Sequence, residues 1–421
     1  MTMQRRQFLK ASGAAFALAG VGGCAALPGK ARARVAVVGG GYGGATAAKY
    51  IRLLDPSVEV VLIEPNEAFI SCPISNMVLG GFRTMADITT PYSGLARHGV
   101  RVVRDSATAI DVERRQVRLA RGDPVAFDRV IVSPGIDFMW EALPAMATVE
   151  AQSRLLHAWK AGPQTARLRE QLVAMRDGGV YVLTVPLAPY RCPPGPYERV
   201  SQIAAYFKQA KPRAKILLLD ENADVTSKGP LFKKAWNELY PGMIEFRGNS
   251  KVVDVDLPGN TVKLEFGDVK GDVLNVLPPM KAGNIAAPYI TANRRWCEVD
   301  WLTFESKAVK AVHVLGDSLQ IAPAMPKSAT MANGHGKVCA SAVVALLKDE
   351  SPNPSPTLVN TCYSMVSDKL AIHVASVHKY DTRDRTFKAV PGSGGVSSAM
   401  NEAEGTYTMN WARNIWADTL G

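Results

Sequence analysis

Val35-Ala36-Val37-Val38-Gly39-Gly40-Gly41-Tyr42-Gly43-Gly44-Ala45 decides how this chain folds. An apolar run leads directly into Gly39-x-Gly41-x-x-Gly44, and a helical stretch follows from Ala45 to Leu54. A second apolar run, Val58 to Ile63, is closed by Glu64, twenty residues after Gly44. Strand, glycine loop, helix, strand and acid in this order predict a dinucleotide site. Each glycine has its task. Gly39 permits the tight turn, Gly41 lets the backbone approach a pyrophosphate at a helix N-terminus, and Gly44 lets helix and strand pack closely. Glu64 is placed to accept hydrogen bonds from a ribose. A glycine-rich hairpin would leave Glu64 unexplained.

The chain has 421 residues, 47% of them hydrophobic and 21% charged, the composition of a globular protein with a real core and two or three domains. Its 49 Lys and Arg against 38 Asp and Glu give a formal net charge of +11. A basic surface suits nucleic acid, anionic lipid or an acidic protein. No run of clustered Lys and Arg with interleaved aromatics is present, so the expected partner is an acidic protein or a small anion, with no nucleic acid.

The N-terminus reads as an export signal over residues 1–33. Arg5-Arg6-Gln7-Phe8-Leu9-Lys10 precedes a moderately apolar run, Ala14 to Val21. That is a twin-arginine signal, used for proteins exported already folded. The run is too short to cross a membrane, so no integral membrane segment is expected in the mature chain. Two cleavage sites compete. Val21-Gly22-Gly23-Cys24 resembles a lipoprotein box that would put lipid on Cys24, whereas Ala31-x-Ala33 fits an ordinary peptidase and makes Arg34 the first mature residue. Both readings place the protein in the periplasm, where disulfides persist.

Residues 34–150 are expected to form the first part of an FAD-binding domain, residues 151–280 a second Rossmann-like domain, and residues 281–350 the rest of the FAD-binding domain. Short strands fill 101–135, and a helical connection carrying His157, Trp159 and Lys160 leads out of the first domain. The second domain has strands at 179–185 and 215–220 joined by a helix from about Arg199 to Gln209. Their joint, Pro186-Leu187-Ala188-Pro189-Tyr190-Arg191-Cys192-Pro193-Pro194-Gly195-Pro196-Tyr197-Glu198, has no glycine loop. Proline offers no N–H to a phosphate and blocks close approach, so NAD is not expected to bind. Val312-His313-Val314-Leu315-Gly316-Asp317 is a strand ending in Gly316 and Asp317, the place where a two-dinucleotide-domain flavoprotein holds the ribitol of FAD. Lys327-Ser328 opens a long helix to Leu347, whose N-terminal dipole suits negative charge on a reduced flavin, with Lys327 as a candidate helper. After the linker Asp349–Thr357, residues 358–421 form a small region packed on the rest, with Trp411 near the flavin or in a packing role.

Of six cysteines, Cys24 lies in the export signal, leaving Cys72, Cys192, Cys297, Cys339 and Cys362. No Cys-x-x-Cys is present, which excludes a thioredoxin-type motif and an obvious zinc site. The histidines form no metal-spaced pair, so no metal is expected. Cys297 and Cys339 read as buried and inert. Five cysteines outside the signal leave one over from disulfide pairing, and covalent attachment of a cofactor accounts for it.

The motifs Arg191-Cys192-Pro193-Pro194-Gly195-Pro196-Tyr197-Glu198-Arg199, Asn360-Thr361-Cys362-Tyr363-Ser364 and Ser71-Cys72-x-x-Ser75-Asn76 give the chain a resemblance. It resembles the flavoprotein (FAD) subunit of flavocytochrome c sulfide dehydrogenase over essentially all of its length beyond the signal. The resemblance implies an α/β fold of two Rossmann-like dinucleotide-binding domains in the glutathione-reductase-like layout, plus the small C-terminal region. It implies FAD held by a thioether to Cys72, and a redox-active disulfide between Cys192 and Cys362 beside the flavin. It further implies Glu198 as a group able to move protons. It implies oxidation of hydrogen sulfide to sulfur or polysulfide, with electrons passed to a separate c-type cytochrome subunit. This chain lacks Cys-x-x-Cys-His and so carries no haem of its own. Pro73 after Cys72 is a local variation that leaves the nucleophile in place.

The chemistry is consistent with that resemblance. Hydrosulfide is a soft nucleophile that opens a disulfide, leaving a persulfide on one cysteine and a thiolate on the other. Either cysteine of the pair is open to attack. A purely structural disulfide closing a loop of roughly 170 residues, at about 4–5 kcal/mol, is the other reading of the pair. Two other functions compete. A sulfide:quinone oxidoreductase would want an apolar C-terminal helix pair, whereas Asn410 to Asp418 is only mildly amphipathic. A non-catalytic flavoprotein subunit of a sulfur-oxidation complex would bind FAD without sulfide turnover.

Overall fold

The computed structural model describes residues 33–421. The twin-arginine stretch and Cys24 lie outside the described residues. Along the chain the elements that build the site are β1 (Ala33–Val38), α1 (Tyr42–Leu54), β2 (Val58–Ile63), α2 (Ser75–Gly80), β3 (Val100–Val103) and β4 (Arg129–Val132). Then come β5 (Val180–Val185), α3 (Gly195–Ala210), β6 (Lys215–Asp220), α4 (Gly229–Leu239), β7 (Ile244–Arg247) and β8 (Val273–Val276). The chain closes with β9 (Val312–Val314), α5 (Ala329–Leu347), β10 (Thr357–Met365), β11 (Ala371–Asp381), β12 (Thr386–Ala389) and α6 (Glu402–Leu420).

The first sheet is parallel throughout, in the order β9-β4-β1-β2-β3. Its central strands are apolar on both faces because helices cover both: Val35 to Val37 and Val60 to Ile63 are all buried. The strand returning as β9 from nearly 180 residues beyond β4 is what brings Gly316 and Asp317 beside the glycine loop. A second parallel sheet has the order β7-β6-β5-β8. The fold is therefore α/β with two dinucleotide-type parallel sheets. Residues beyond α5 form an antiparallel sheet, β10-β11-β12, and the helix α6, which packs on α1.

Two local differences from the sequence reading have clear causes. Helix α3 starts at Gly195, about four residues before the expected Arg199, because proline is tolerated in a first turn whose N–H groups have no intrahelical partner. Conversely, His157, Trp159 and Lys160 do not lie in a helix. They occupy an irregular segment between helices at Val149–Arg154 and Pro163–Ala174. Side chains replace the helical hydrogen bonds there. Gln164 Oε1 accepts from the N–H groups of His157 (3.1 Å) and Ala158 (2.9 Å). Arg199 donates to the carbonyls of His157 (2.9 Å) and Ala158 (2.7 Å).

Candidate active site

The glycine loop does what its spacing requires. Gly39 has φ +99°, a conformation that side chains rarely adopt, and a Cβ on Gly44 would sit 2.0 Å from the carbonyl oxygen of Gly39. Gly41 faces open space. Glu64 is buried, and its carboxylate accepts from Gly40 N (2.7 Å), Asn66 N (2.9 Å) and Asn66 Nδ2 (2.6 Å). It thus locks the loop to the end of β2 while still facing the cavity beyond.

That cavity encloses roughly 1730 Å3 of atom-free space, its mouth included. It is lined by Gly39, Gly41, Glu64 and Cys72 from the first part of the chain, and by Gly316 and Asp317 at the end of β9. Cys192, Glu198 and Cys362 reach the same space. Gly44 lies behind the loop, in its contact with α1. The first turns of α1 and α5 both open onto the cavity, and neither carries an acidic residue. Two helix N-termini, an open glycine position and a strand-end acid suit a long, anionic dinucleotide such as FAD.

Cys72 sits in a loop fixed by its neighbours. Tyr42 Oη and Ser71 Oγ are 2.7 Å apart, Ser71 donates to Pro73 O (2.7 Å), and Ser75 donates to Cys72 O (2.6 Å). Ile74 takes φ 75°, an uncommon conformation for a β-branched residue. The Cys72 sulfur accepts from Ala161 N at 3.4 Å and contacts the Arg191 guanidinium.

Cys192 and Cys362 come from a loop and a strand far apart in the chain. Cys192 lies in the proline-rich loop after β5, also at positive φ (59°), with its N–H on Lys327 O at 2.8 Å. Cys362 lies in β10. Both are free cysteines whose side chains line the cavity and act on one another's ionisation. Cys362, together with burial, pushes the Cys192 thiol well up. Cys192 in turn, aided by Lys228, holds Cys362 below the usual thiol range. Glu198, buried beside them, accepts from Met365 N (2.9 Å) and Asn76 Nδ2 (3.0 Å), and burial raises its carboxyl above the ordinary range. Arg199 is buried too. It ties Asn76 Oδ1 (3.0 Å) to Asn275 Oδ1 (2.8 Å), joining α2, α3 and β8 around the pair.

The second parallel sheet ends differently. Asp220 closes β6 as Glu64 closes β2, but its carboxylate accepts from Tyr197 Oη (2.8 Å), Asn222 N (2.9 Å) and Asn222 Nδ2 (2.7 Å). Tyr190 and Tyr197, buried in the proline-rich joint, fill the space above it. Asp220 is thus already engaged by side chains of this chain.

Lys327 is not a solvated cap and does not line this large cavity. It is buried, donates to the carbonyls of Asp317 (2.8 Å) and Leu319, and lies 3.6 Å from the Trp296 ring centroid. Ser328, Ala329 and Thr330 face the cavity in its place, as does Trp411. Cys297 and Cys339 are fully buried, and burial raises Cys297 to about 12. Among the described residues no group of three or more His, Cys, Asp or Glu side chains is arranged to hold a metal. Nor is any described helix long and apolar enough to cross a membrane. Lys228 escaped notice in the sequence, where Ser227-Lys228-Gly229-Pro230 looks like an ordinary turn.

The chain is similar to several known proteins. Residues 165–278 match the family model "Sulfide dehydrogenase [flavocytochrome c] flavoprotein chain, central". Residues 354–420 match "Flavocytochrome c sulphide dehydrogenase, flavin-binding", and residues 33–171 match "Pyridine nucleotide-disulphide oxidoreductase". The sulfide dehydrogenase [flavocytochrome c] flavoprotein chain of Chlorobaculum thiosulfatiphilum is 64% identical over 45 residues, 11% of this chain and 94% of that sequence. The mitochondrial sulfide:quinone oxidoreductase of Mus musculus is 22% identical over 342 residues, 76% of this chain and 72% of that one. The solved structure of the sulfide:quinone oxidoreductase of Aquifex aeolicus shares the fold, with a TM-score of 0.71 at 17% identity over 92% of this chain and 91% of that one.

Proposed function

Because this chain belongs to the family of the flavocytochrome c sulfide dehydrogenase flavoprotein chain, we propose that it is an FAD-dependent oxidoreductase that oxidises sulfide through a Cys192–Cys362 disulfide. The observation that carries this reading is a single cavity lined by the glycine loop, Cys72 and both sulfurs of the pair. FAD is held by the amides of the loop after Gly39, by Glu64 and Asp317, and by the N-terminus of α5, with a covalent bond through Cys72. Bound flavin supplies a two-electron acceptor that releases electrons singly.

The chain's own residues do the rest. In the oxidised protein Cys192 and Cys362 are bonded. Hydrosulfide adds to one sulfur, the S–S bond breaks, and the other sulfur leaves as a thiolate. Glu198 is buried beside both sulfurs, and its raised carboxyl is suited to taking up and returning the proton of the persulfide. Arg199 and Asn76 hold Glu198 and the connecting segment in place. The product is sulfur or polysulfide.

The electrons go to a separate c-type cytochrome subunit, and the protein works in the periplasm after twin-arginine export of residues 1–33. The family match supports the cytochrome, and the Arg5-Arg6 stretch supports the export. Anaerobic sulfide oxidation by the purified periplasmic fraction tests both. Cytochrome c is expected to be reduced in a sulfide-dependent way, while a soluble ubiquinone analogue accepts electrons about a hundredfold more slowly, a preference of about 2.7 kcal/mol. Preference for the quinone, or recovery of the protein from the cytoplasm alone, would contradict the assignment.

A further inference from the structure

Lys228 sits at the N-cap of α4, buried and in the left-handed region at φ 56°, where lysine is uncommon. Its Nζ donates to Cys362 O (3.1 Å) and Ser364 Oγ (2.8 Å), both on β10. An ammonium has three protons to give, so one donor remains. Among the described residues it forms no ion pair with a carboxylate within 4.0 Å, although a buried charge ordinarily requires a partner. The acidic groups around it are Cys362, then Glu198, Cys192 and Glu404, while Arg191 acts on the Cys192 side of the pair.

We propose that Lys228 is the buried counter-ion of a Cys362 thiolate, a positioning residue that makes Cys362 the departing sulfur and Cys192 the sulfur attacked. The second half rests on the sulfide reading above. In thiol–disulfide exchange the sulfur whose thiolate is better stabilised leaves faster. Hydrosulfide then bonds to Cys192 Sγ, the Cys192–Cys362 bond breaks, and its electron pair stays on Cys362 Sγ. One S–S bond replaces another and the negative charge passes from the hydrosulfide to Cys362. In the fully reduced pair, the Cys192 S–H donates to that thiolate. Glu198 opposes negative charge on either sulfur, and Arg191 favours it on Cys192, so Lys228 is the cation that tips the pair towards Cys362.

Alkylation of the reduced holoprotein by iodoacetamide across pH, with each site read by peptide mass, tests the first half without sulfide. The midpoint of each residue's pH profile reports its thiolate, whatever its accessibility. Cys362 is expected to have the lower midpoint in the parent protein and in Lys228→Arg. In Lys228→Met its rate at neutral pH is expected to fall about tenfold or more, the equivalent of one unit in midpoint. A lower midpoint for Cys192 in the parent protein overturns the proposal, even where Lys228→Met does not fold. So does a Lys228→Met protein that labels like the parent. The second half is read by mixing oxidised protein with limiting sulfide and trapping with iodoacetamide. The trapped persulfide is expected on the Cys192 peptide, and its recovery on the Cys362 peptide overturns the direction of attack. Recovery on neither peptide, with the labelling pattern intact, overturns the sulfide reading and leaves the counter-ion assignment standing.

Discussion

Cys192→Ser and Cys362→Ser are each expected to abolish reduction of the flavin by sulfide, slowing it by about ten-thousandfold or more, the scale on which removal of a nucleophile acts. A hydroxyl cannot form the S–S bond that hydrosulfide opens. The double variant is expected to be within about tenfold of either single one, because the two sulfurs act as a unit and their effects do not add. Serine nearly matches cysteine in size, and neither site is part of the glycine loop. The variants should therefore keep their bound flavin and its visible spectrum, which separates lost chemistry from lost folding. Stopped-flow mixing with sulfide is the check. A single variant that retains even a tenth of the parent rate would make the pair a structural bridge and remove it from the reaction.

Cys72→Ser is expected to change the flavin from wholly retained to wholly released on acid precipitation. The loop from Ser71 to Ser75 is held by three side-chain hydrogen bonds, so the sulfur stays on the cavity wall without help from the cofactor. The glycine loop, Glu64 and Asp317 are untouched by the change. The variant should purify yellow at neutral pH and lose its colour only when the fold is destroyed. A parent protein whose flavin comes away in acid would show that Cys72 forms no bond to it.

The site was legible in the sequence in proportion to how local its signals are. Gly39, Gly41, Gly44 and Glu64 lie within one strand–helix–strand unit, where spacing and geometry are nearly the same statement. Gly316 and Asp317 could be placed because a strand ending in small and acidic residues has few other uses in such a fold. The approach of Cys192 to Cys362 has no local signal: one lies in a loop after β5, the other in β10, and only the resemblance paired them. Lys228 was invisible because its importance is its burial against β10, a strand more than 120 residues further along the chain. Lys327 shows the converse. Its place before a helix suggested a charge near the flavin, but two carbonyls and Trp296 claim it. The segment at His157 failed as a helix for a similar reason, since Gln164 and Arg199 supply its hydrogen bonds from outside. In the second sheet the prolines set the expectation of a loop unsuited to a phosphate. That Asp220 is consumed by Tyr197 and Asn222 is a fact of packing alone.

Electrons are expected to enter from sulfide through the cysteine pair and not from a nicotinamide. Anaerobic titration of the oxidised protein, followed by the visible absorbance of its flavin, tests it most directly. Sulfide is expected to bleach the flavin and NADH to leave it unchanged. Bleaching by NADH, or a flavin that sulfide does not touch, would mean that electrons do not enter through Cys192 and Cys362.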